Sequence, residues 1–230
     1  MSALTWDGTG EKYYEMGTDR GVLYVRDRDT GEYPTGVAWN GLTAVTESPD
    51  GAEVTDFYAD NIKYGSIRSV ETFGGTIEAY TYPDEWNECD GRANPVSGLN
   101  LGQQKRSRFG LSYRTMVGND VVSALDDDAP YKIHLIYGAS ASPAELSYET
   151  INDSPDAMTM SWEFDTIAEN CTGYKPVSCI TIESDKFSST KIAALEEILY
   201  GSDDTDARLP LPDEVIELLT AEDEDSTEET

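Results

Sequence analysis

Histidine and cysteine are scarce in this 230-residue sequence, which has one His and three Cys. A site with several histidines cannot be built, and a Ser-His-Asp or Cys-His site can be built only through His134. The cysteines, Cys89, Cys171 and Cys179, are odd in number and lack CxxC spacing, which argues against a disulfide framework and against zinc. We therefore expect three reduced thiols and neither a metal nor a cofactor.

Basic residues and long apolar runs are scarce as well. Sixteen Lys and Arg stand against 45 Asp and Glu, a net charge of −29, so a general basic surface for DNA or RNA is excluded. The longest apolar runs are four residues, where a membrane-spanning helix needs about 20. The first residues lack the basic and apolar regions of a secretory signal, so we expect neither membrane insertion nor export.

Recognisable catalytic motifs are missing too. There is no GxGxxG, P-loop or GxSxG pattern. The acidic triplet at residues 126–128 lacks the spacing of an EF-hand, and we expect a solvated loop there rather than a calcium site. His134 lies among alternating strand residues beside Lys132, and we expect a solvated or hydrogen-bonded surface imidazole. An enzyme would have to use paired carboxylates, as glycosidases do.

The patterns that are present indicate mainly β structure. Apolar residues alternate with polar ones around residues 108–115, 131–137 and 158–165, as in half-buried strands. Weaker strand candidates, bounded by turn-forming residues, are 22–25, 37–47, 57–68, 76–82 and 177–183. About eight strands predict an antiparallel β-sandwich or barrel.

Helical spacing appears only near the end of the chain. Residues 188–201 have hydroxyl residues at the start, apolar residues at helical spacing and Gly201 at the end, so we expect one helix flanking the sheet. Beyond it, Pro212 suits the first turn of a short second helix. We divide the chain into a β-sandwich domain with its flanking helix at 1–201, a C-terminal arm at 202–220, and an acidic, disordered tail at 221–230.

Several sequence blocks resemble the major tail tube protein of long-tailed (siphovirus-type) bacteriophages. The resemblance runs from about Thr5 to Leu219 and departs from the family in the acidic tail and in the lack of an appended immunoglobulin-like domain. The blocks are VTESPDGAE at 45–53, YADNIKY at 58–64, EAYTYPDE at 78–85, FGLSYR at 109–114, VGND at 117–120, YKIHLIYG at 131–138, the strands around NDSP at 152–155 and SWE at 161–163, LEEILYG at 195–201 and RLPLPDE at 208–214.

This resemblance implies a structural virion protein, not an enzyme, made in the host cytoplasm and located in the virion tail. Its copies would form hexameric rings stacked into a tube that conducts genome DNA. Its partners would be further copies of itself and other tail proteins, such as the tape measure, tail terminator and distal tail proteins. DNA would pass without specific binding, and no membrane would be involved. Carboxylates on the inner wall would repel phosphates weakly and let the duplex slide.

Contacts between subunits are expected at unpaired sheet edges and at three projecting segments. The polar connection at 47–56 is a candidate projection, with a mobile surface hairpin as the alternative. The first 17 residues and the C-terminal arm from 208 to 219 are candidates for reaching a neighbour, with docking on its own domain as the alternative for the C-terminal arm. The basic cluster at 103–108 is expected to pair with a neighbour's acids. The candidate contact residues are Glu47, Ser48, Pro49, Asp50, Gly51, Glu53, Lys105, Arg106, Arg108, Leu209, Leu211, Val215 and Leu218.

Two other interpretations stay open. The chain could be a carbohydrate-binding β-sandwich module, or a glycosidase that uses paired carboxylates. The acidity could also be an adaptation to salt, which is compatible with either function.

Overall fold

The computed structural model describes residues 4–148, 150–151, 153 and 156–221. Twelve strands and three helices are found in this part of the chain. The strands are β1 Tyr14–Val25, β2 Gly36–Ala38, β3 Leu42–Gly51, β4 Val54–Ala59, β5 Ile62–Arg68, β6 Glu71–Ala79, β7 Ala93–Val96, β8 Leu99–Leu101, β9 Phe109–Gly118, β10 Tyr131–Ala141, β11 Met160–Thr166 and β12 Cys179–Glu183. The helices are α1 Trp86–Cys89, α2 Ser189–Tyr200 and α3 Pro212–Thr220.

Eight strands form one antiparallel sheet, and the expected mainly β architecture with flanking helices is confirmed. Their order is β2-β1-β9-β10-β11-β6-β3, with β12 paired to β10 outside this path. Two further pairs, β4–β5 and β7–β8, form separate two-stranded sheets. Among the described strands this order is open, with β2 and β3 at its two ends, so the sheet does not close into a barrel.

Strand β10 changes partner along its length. Its first half, from Lys132 to Ile136, pairs with β12, and its last residues, Ala139–Ala141, pair with β11. Gly138 lies at the change, with a φ of 61°, and a Cβ there would come within 2.0 Å of the Ile167 carbonyl oxygen. Only glycine combines this left-handed backbone with so close an approach, so Gly138 lets the sheet split.

The first core lies inside the folded sheet. It brings residues of β11 and β6, such as Trp162 and Ile77, against Phe109 and Leu111 of β9. Trp86 of the short helix α1 fills its centre, with ring centroids 4.7 Å from Trp39, 4.9 Å from Phe109 and 5.3 Å from Trp162. In β11 the predicted alternation is confirmed, since Met160, Trp162 and Phe164 are buried and the residues between them are exposed.

The second core lies between the outer face of the sheet and helices α2 and α3. Helix α2 confirms the predicted helix: Ser188 occupies its N-cap position and Gly201, with a φ of 77°, follows its last residue. Its Ile192, Leu195 and Leu199 pack with the side chains on one face of β10. Because the first core covers the opposite face of β10, this strand is buried on both sides and is not the half-buried strand that we predicted.

Two segments fall partly outside the described residues. The predicted disordered tail at 221–230 lies there except for Ala221, as do residues 1–3 of the N-terminal segment. The remaining N-terminal residues contact their own chain. Gly10 donates its backbone N–H to Asp120, and β1 pairs with β9 from Tyr14 onward.

Candidate assembly surfaces

The most exposed regular element is the hairpin of β4 and β5, which with its flanks at 52–70 we call the arm. It grows out of β3 and returns into β6, which pair with each other as far as Gly51 and Glu71. Its turn consists of Asp60 and Asn61, with φ of 51° and 64°. Positive φ at both central residues is the geometry of a two-residue type I′ turn, and Asn and Asp are among the residues that tolerate it best.

The two faces of the arm differ in chemistry. On one face Asp56 and Lys63 form an ion pair at 2.7 Å. The other face is apolar and carries Phe57, Ile62, Tyr64 and Ile67, with the Phe57 and Tyr64 rings 5.9 Å apart. These four side chains are between 42% and 74% exposed. A contiguous apolar surface on a projecting hairpin is typical of a contact with another molecule.

The sequence interpretation placed the projection too early in the chain. Residues 47–51, expected in a polar connection, lie in β3 and pair with β6. The predicted strand at 57–68 is instead two strands with the turn between them. Ser48, Pro49, Asp50, Gly51 and Glu53 are exposed at the base of the arm, so their role in subunit contacts stays a prediction.

Glu47 is exposed in part, and its carboxylate joins β3 to β9 and β10 across the sheet. Its Oε1 accepts a 2.6 Å hydrogen bond from the Tyr113 hydroxyl of β9 and lies 3.5 Å from His134 Nδ1 of β10. The hydrogen bond with His134, above all, lowers the pKa of Glu47, while partial burial opposes this effect. The Glu47 carboxylate is thus engaged within its own chain.

His134 is buried, contrary to the expectation of a surface imidazole. It is 9% exposed, and its ring is stacked on that of Tyr113 with centroids 4.7 Å apart. Its Nε2 is 2.9 Å from the Thr115 hydroxyl, so the expectation of a hydrogen-bonded imidazole is met although its exposure is not. The polar side of the strand lies inside the molecule because β3 folds over it.

Glu15 of β1 lies on the far side of the imidazole. Its Oε1 is 3.7 Å from His134 Nε2, and its Oε2 accepts a 2.7 Å hydrogen bond from Lys132. Partial burial acts to raise the pKa of Glu15, but the hydrogen bonds from Lys132 and Thr115 outweigh it and the pKa is lowered. Both carboxylates therefore favour the charged form, and their contacts join the four strands β1, β3, β9 and β10.

The C-terminal arm packs on its own chain, which is one of the two surfaces left open for it by the sequence, and a contact with a neighbouring copy stays a prediction. Leu209 and Val215 are buried in the second core, and Leu211 and Leu218 pack against it. Leu209 also donates its backbone N–H to the carbonyl oxygen of Tyr33 in an isolated β-bridge. The apolar spacing of α3 was correctly read, but the surface that it covers belongs to the same copy.

The predicted basic cluster lies just before β9 and is only partly free. Arg106 donates to the carbonyl oxygen of Ala141 and pairs with Asp90 at 3.3 Å, so it is held within the chain. Lys105 is exposed and Arg108 is half-buried, and neither forms an ion pair within the part of the chain that the structure describes. Next to them the β7–β8 hairpin exposes Val96, Leu99 and Leu101.

The arm residues Phe57, Ile62, Tyr64 and Ile67 were missed as site residues. The available signal was the Asp60-Asn61 pair between apolar residues, because such pairs favour a two-residue hairpin turn. Their exposure had no signal, since an alternating strand can equally cover a core.

The described residues offer no other obvious site. No group of three or more His, Cys, Asp or Glu side chains among them could hold a metal ion. None of the helices found in that part of the chain is long and apolar enough to cross a membrane. Cys89 and Cys171 are buried, Cys179 is half-buried, and all three are free thiols, as predicted.

Comparisons with known proteins give structural likenesses only. No protein-family model matches the chain, and no curated protein matches it. A chain of the anti-feeding prophage baseplate, in a six-fold symmetrised cryo-EM structure, has a TM-score of 0.36 and 6% identity, over 78% of this chain and 97% of that chain.

Two further likenesses come from an extracellular contractile injection system, PVC, in its extended state. A chain of the sheath–tube complex has a TM-score of 0.30 and 11% identity, over 71% of this chain and 88% of that chain. A chain of the sheath/tube terminator structure has a TM-score of 0.28 and 10% identity, over 78% of this chain and 99% of that chain. At such scores the role of this chain has to be argued from its own surfaces.

Proposed function

We propose that this protein is a structural subunit of a phage-type tail, the tail tube protein, which acts by self-assembly and carries out no reaction. Copies associate into hexameric rings that stack into a tube through which genome DNA passes. The observation that carries the proposal is the arm, whose apolar face is exposed on a highly charged chain. The sequence blocks that resemble the tail tube family supply the identity of the assembly.

The arm needs a partner for physical reasons. An isolated two-stranded hairpin is marginally stable in water, and it gains stability when an apolar face is covered. Each of Phe57, Ile62, Tyr64 and Ile67 would contribute on the order of 1 to 3 kcal/mol on full burial. Because the arm's own chain leaves this face exposed, a neighbouring copy is the natural cover.

The open sheet supplies a second kind of contact. Strands β3 and β2 are terminal in the strand order. No described strand pairs the outer edge of β3, whereas Gly36 of β2 already donates its backbone N–H to Ala207. Such edges template pairing with another chain, and a head-to-tail contact closes into a ring when its rotation divides the circle. Further copies are thus the main partners, and other tail proteins would join at the ends of the tube, in the virion.

The net charge of −29 suits a conduit for DNA. A wall with excess carboxylates repels phosphates within about 8 Å at physiological ionic strength, so the duplex slides without being held. An assembled tube whose bore had a net positive potential would overturn this part of the proposal.

Assembly of the purified protein tests the function directly. Negative-stain microscopy and sedimentation velocity of the wild type should show rings or tubes whose amount grows with protein concentration. The variant Ile62→Ser/Ile67→Ser should stay monomeric over the same range with an unchanged melting temperature, because both side chains are exposed. Tyr174→Ser, at an exposed residue outside the arm, is the matched control and should assemble normally.

A wild-type protein that is monomeric at every concentration would overturn the proposal. Glycan affinity of such a monomer would support the carbohydrate-binding alternative instead.

A further inference from the structure

The strand directions place the arm at one end of the molecule. Successive neighbours from β9 through β10, β11 and β6 to β3 are antiparallel, so β9 and β3 run in the same direction. The loop at 119–130 follows β9, and the arm follows β3. The N-terminal residues 4–13 precede β1, whose start pairs with the end of β9. We call the end that these three segments share the arm end.

The segment at 92–108, which includes the β7–β8 hairpin, leads directly into the start of β9. It therefore lies at the opposite end of the sheet from the arm. Its position is fixed by contacts near that strand end, because Ser107 donates its backbone N–H to Glu88 of α1 and Arg106 donates to Ala141 at the end of β10. We call this segment the receptor segment.

The arm end and the receptor segment differ in charge. The three segments of the arm end contain nine acids and three bases. The receptor segment contains four bases, Arg92, Lys105, Arg106 and Arg108, and no acid. Arg92 and Arg106 both pair with Asp90, so Lys105 and Arg108 are the two bases of the segment without an ion pair in the part of the chain that the structure describes. Asp84, Glu85 and Glu88 line the surface beside Lys105, so the contrast belongs to the receptor segment and not to the whole end. The two unpaired bases favour contact with the acids of another copy's arm end.

The two ends also match in their apolar surface. In the β7–β8 hairpin Val96 and Leu99 are directly opposite each other. Leu101 follows two residues after Leu99 and therefore shares its face. The three side chains are between 46% and 66% exposed. This apolar patch ends four residues before exposed Lys105 in the sequence, and the apolar residues of the arm are interspersed in the sequence with exposed Asp60 and follow exposed Glu53.

We propose that the apolar face of the arm docks on the β7–β8 hairpin of a second copy, with Lys105 and Arg108 facing the acids of the arm end. The inference rests on the proposed function and names the surface that receives the arm. Because the two contact surfaces are different and lie at opposite ends, each copy can receive one arm and donate another. Such a head-to-tail contact propagates along an axis instead of stopping at a dimer.

Disulfide trapping tests the pairing of the two surfaces. Ile62→Cys places a thiol at the arm tip and Leu99→Cys places one on the receptor segment, both at exposed positions. Under mild oxidation the double variant should give a ladder of cross-linked multimers on a non-reducing gel. An equal mixture of the two single variants should give a dimer and nothing larger. Wild type, with its three native thiols, and Ile62→Cys/Tyr174→Cys are the controls and should give no ladder.

Each result separates this inference from the proposed function. Wild-type tubes without a cross-link between residues 62 and 99 would overturn the receptor surface and leave the tube proposal standing. Dimers formed by Ile62→Cys alone as readily as by the mixture would indicate contact between two arms and would also overturn the receptor surface. Absence of any wild-type assembly would instead overturn the proposed function.

A charge variant gives a second measurement on a folded protein. Lys105→Glu should raise the protein concentration needed for half-maximal assembly about two- to fivefold, the effect expected of a partly exposed ion pair. Lys175→Glu makes the same change outside the receptor segment and is the matched control. Equal effects of the two variants would show that only net charge matters and would contradict the pairing.

Discussion

Glu47 shows how one side chain can join several strands at the base of an exposed hairpin. It belongs to β3, the strand from which the arm grows, yet its carboxylate contacts Tyr113 of β9 and His134 of β10. The Sγ of Cys179 in β12 is 3.7 Å from the same oxygen. Since burial, together with nearby Glu47, raises the pKa of Cys179 to about 12, this thiol stays protonated and can donate. Three strands are thereby fixed to the base of the arm.

We predict that Glu47→Gln removes part of the pH dependence of stability. The pKa of Glu47 is lowered in the folded protein, so its stabilising effect is present above the ordinary carboxyl pKa and is lost as pH falls through the folded value. Urea unfolding at pH 7 should show a loss of about 1 kcal/mol, at the lower end for charged hydrogen bonds because the carboxylate is partly solvated. The difference from wild type should shrink toward pH 3. Glu53→Gln, at an exposed carboxylate, should change neither quantity, and a pH-independent difference for Glu47→Gln would contradict the assignment.

At the scale of the element, the C-terminal arm is packed against the core, whereas the hairpin of β4 and β5 is exposed. The C-terminal arm is anchored by buried Leu209 and Val215 and by hydrogen bonds from Thr172 to Asp213 of 2.7 and 2.8 Å. The hairpin arm exposes its apolar face to solvent. Both contain apolar residues among polar ones in the sequence, and only the packing shows that one belongs to the core while the other keeps its apolar face exposed.

We predict that Leu209→Ala destabilises the protein without preventing assembly. Leu209 is 2% exposed, and truncation of a buried leucine typically costs about 2 to 5 kcal/mol. Chemical denaturation should show this loss, while Leu125→Ala, at a 78% exposed side chain, should change stability by less than about 0.5 kcal/mol. Below its melting temperature Leu209→Ala should still form tubes. A folded variant that does not assemble would mean that the C-terminal arm is an interface after all.

Particular elements show what the sequence could predict. The strand β11 and the helix α2 were predicted because their periodicity is strong and their surroundings are simple, with one face buried. The segment around Pro49 was predicted as part of a polar connection between two strands. It lies instead in β3, at the end of the strand order, where a proline is tolerated because one side of the strand has no ladder hydrogen bonds to lose. Its partner Phe73 is 24 residues away in the chain, beyond the reach of local patterns.

The burial of His134 could not be predicted either, because the residues that cover it are also distant in the sequence. One face of its strand carries Lys132, His134 and Ile136. Two of these three side chains are polar, so the pattern predicts a face that is exposed to solvent. That face is covered only because β3 brings Glu47 over it and β1 brings Glu15 beside it. The candidate projection was predicted at residues 47–56, whereas the exposed hairpin lies at 54–68. Exposure could not be predicted, since it depends on which surfaces the rest of the chain leaves free.

At the scale of the whole molecule, the net charge opposes association of copies, whereas burial of the exposed apolar surfaces favours it. Each copy has a net charge of −29, so like-charged copies repel as they approach. The Debye length falls from about 30 Å at 0.01 M salt to about 8 Å at 0.15 M, which confines the repulsion to short distances. The attraction between the arm and its receiving surface acts at contact and is affected less.

We predict that assembly strengthens as salt rises through this range. Light scattering or sedimentation should show a lower critical protein concentration at 0.15 M than at 0.01 M NaCl, with the monomer folded at both by circular dichroism. Loss of folding at 0.01 M would point instead to salt adaptation of the fold itself. A critical concentration that rises steadily with salt would contradict the dominance of repulsion.

The ladder between β6 and β11 has a mechanical consequence. The arm is continuous with β3 and β6, and β6 is joined to β11 by a register that runs without a break from Gly74 to Ala79. A pull on the arm along its length therefore stretches these backbone hydrogen bonds side by side, in shear, so that they would have to fail together rather than peel open one at a time. A filament linked through such arms would resist tension along its axis, because the load would pass from copy to copy through hydrogen bonds that are stretched in shear.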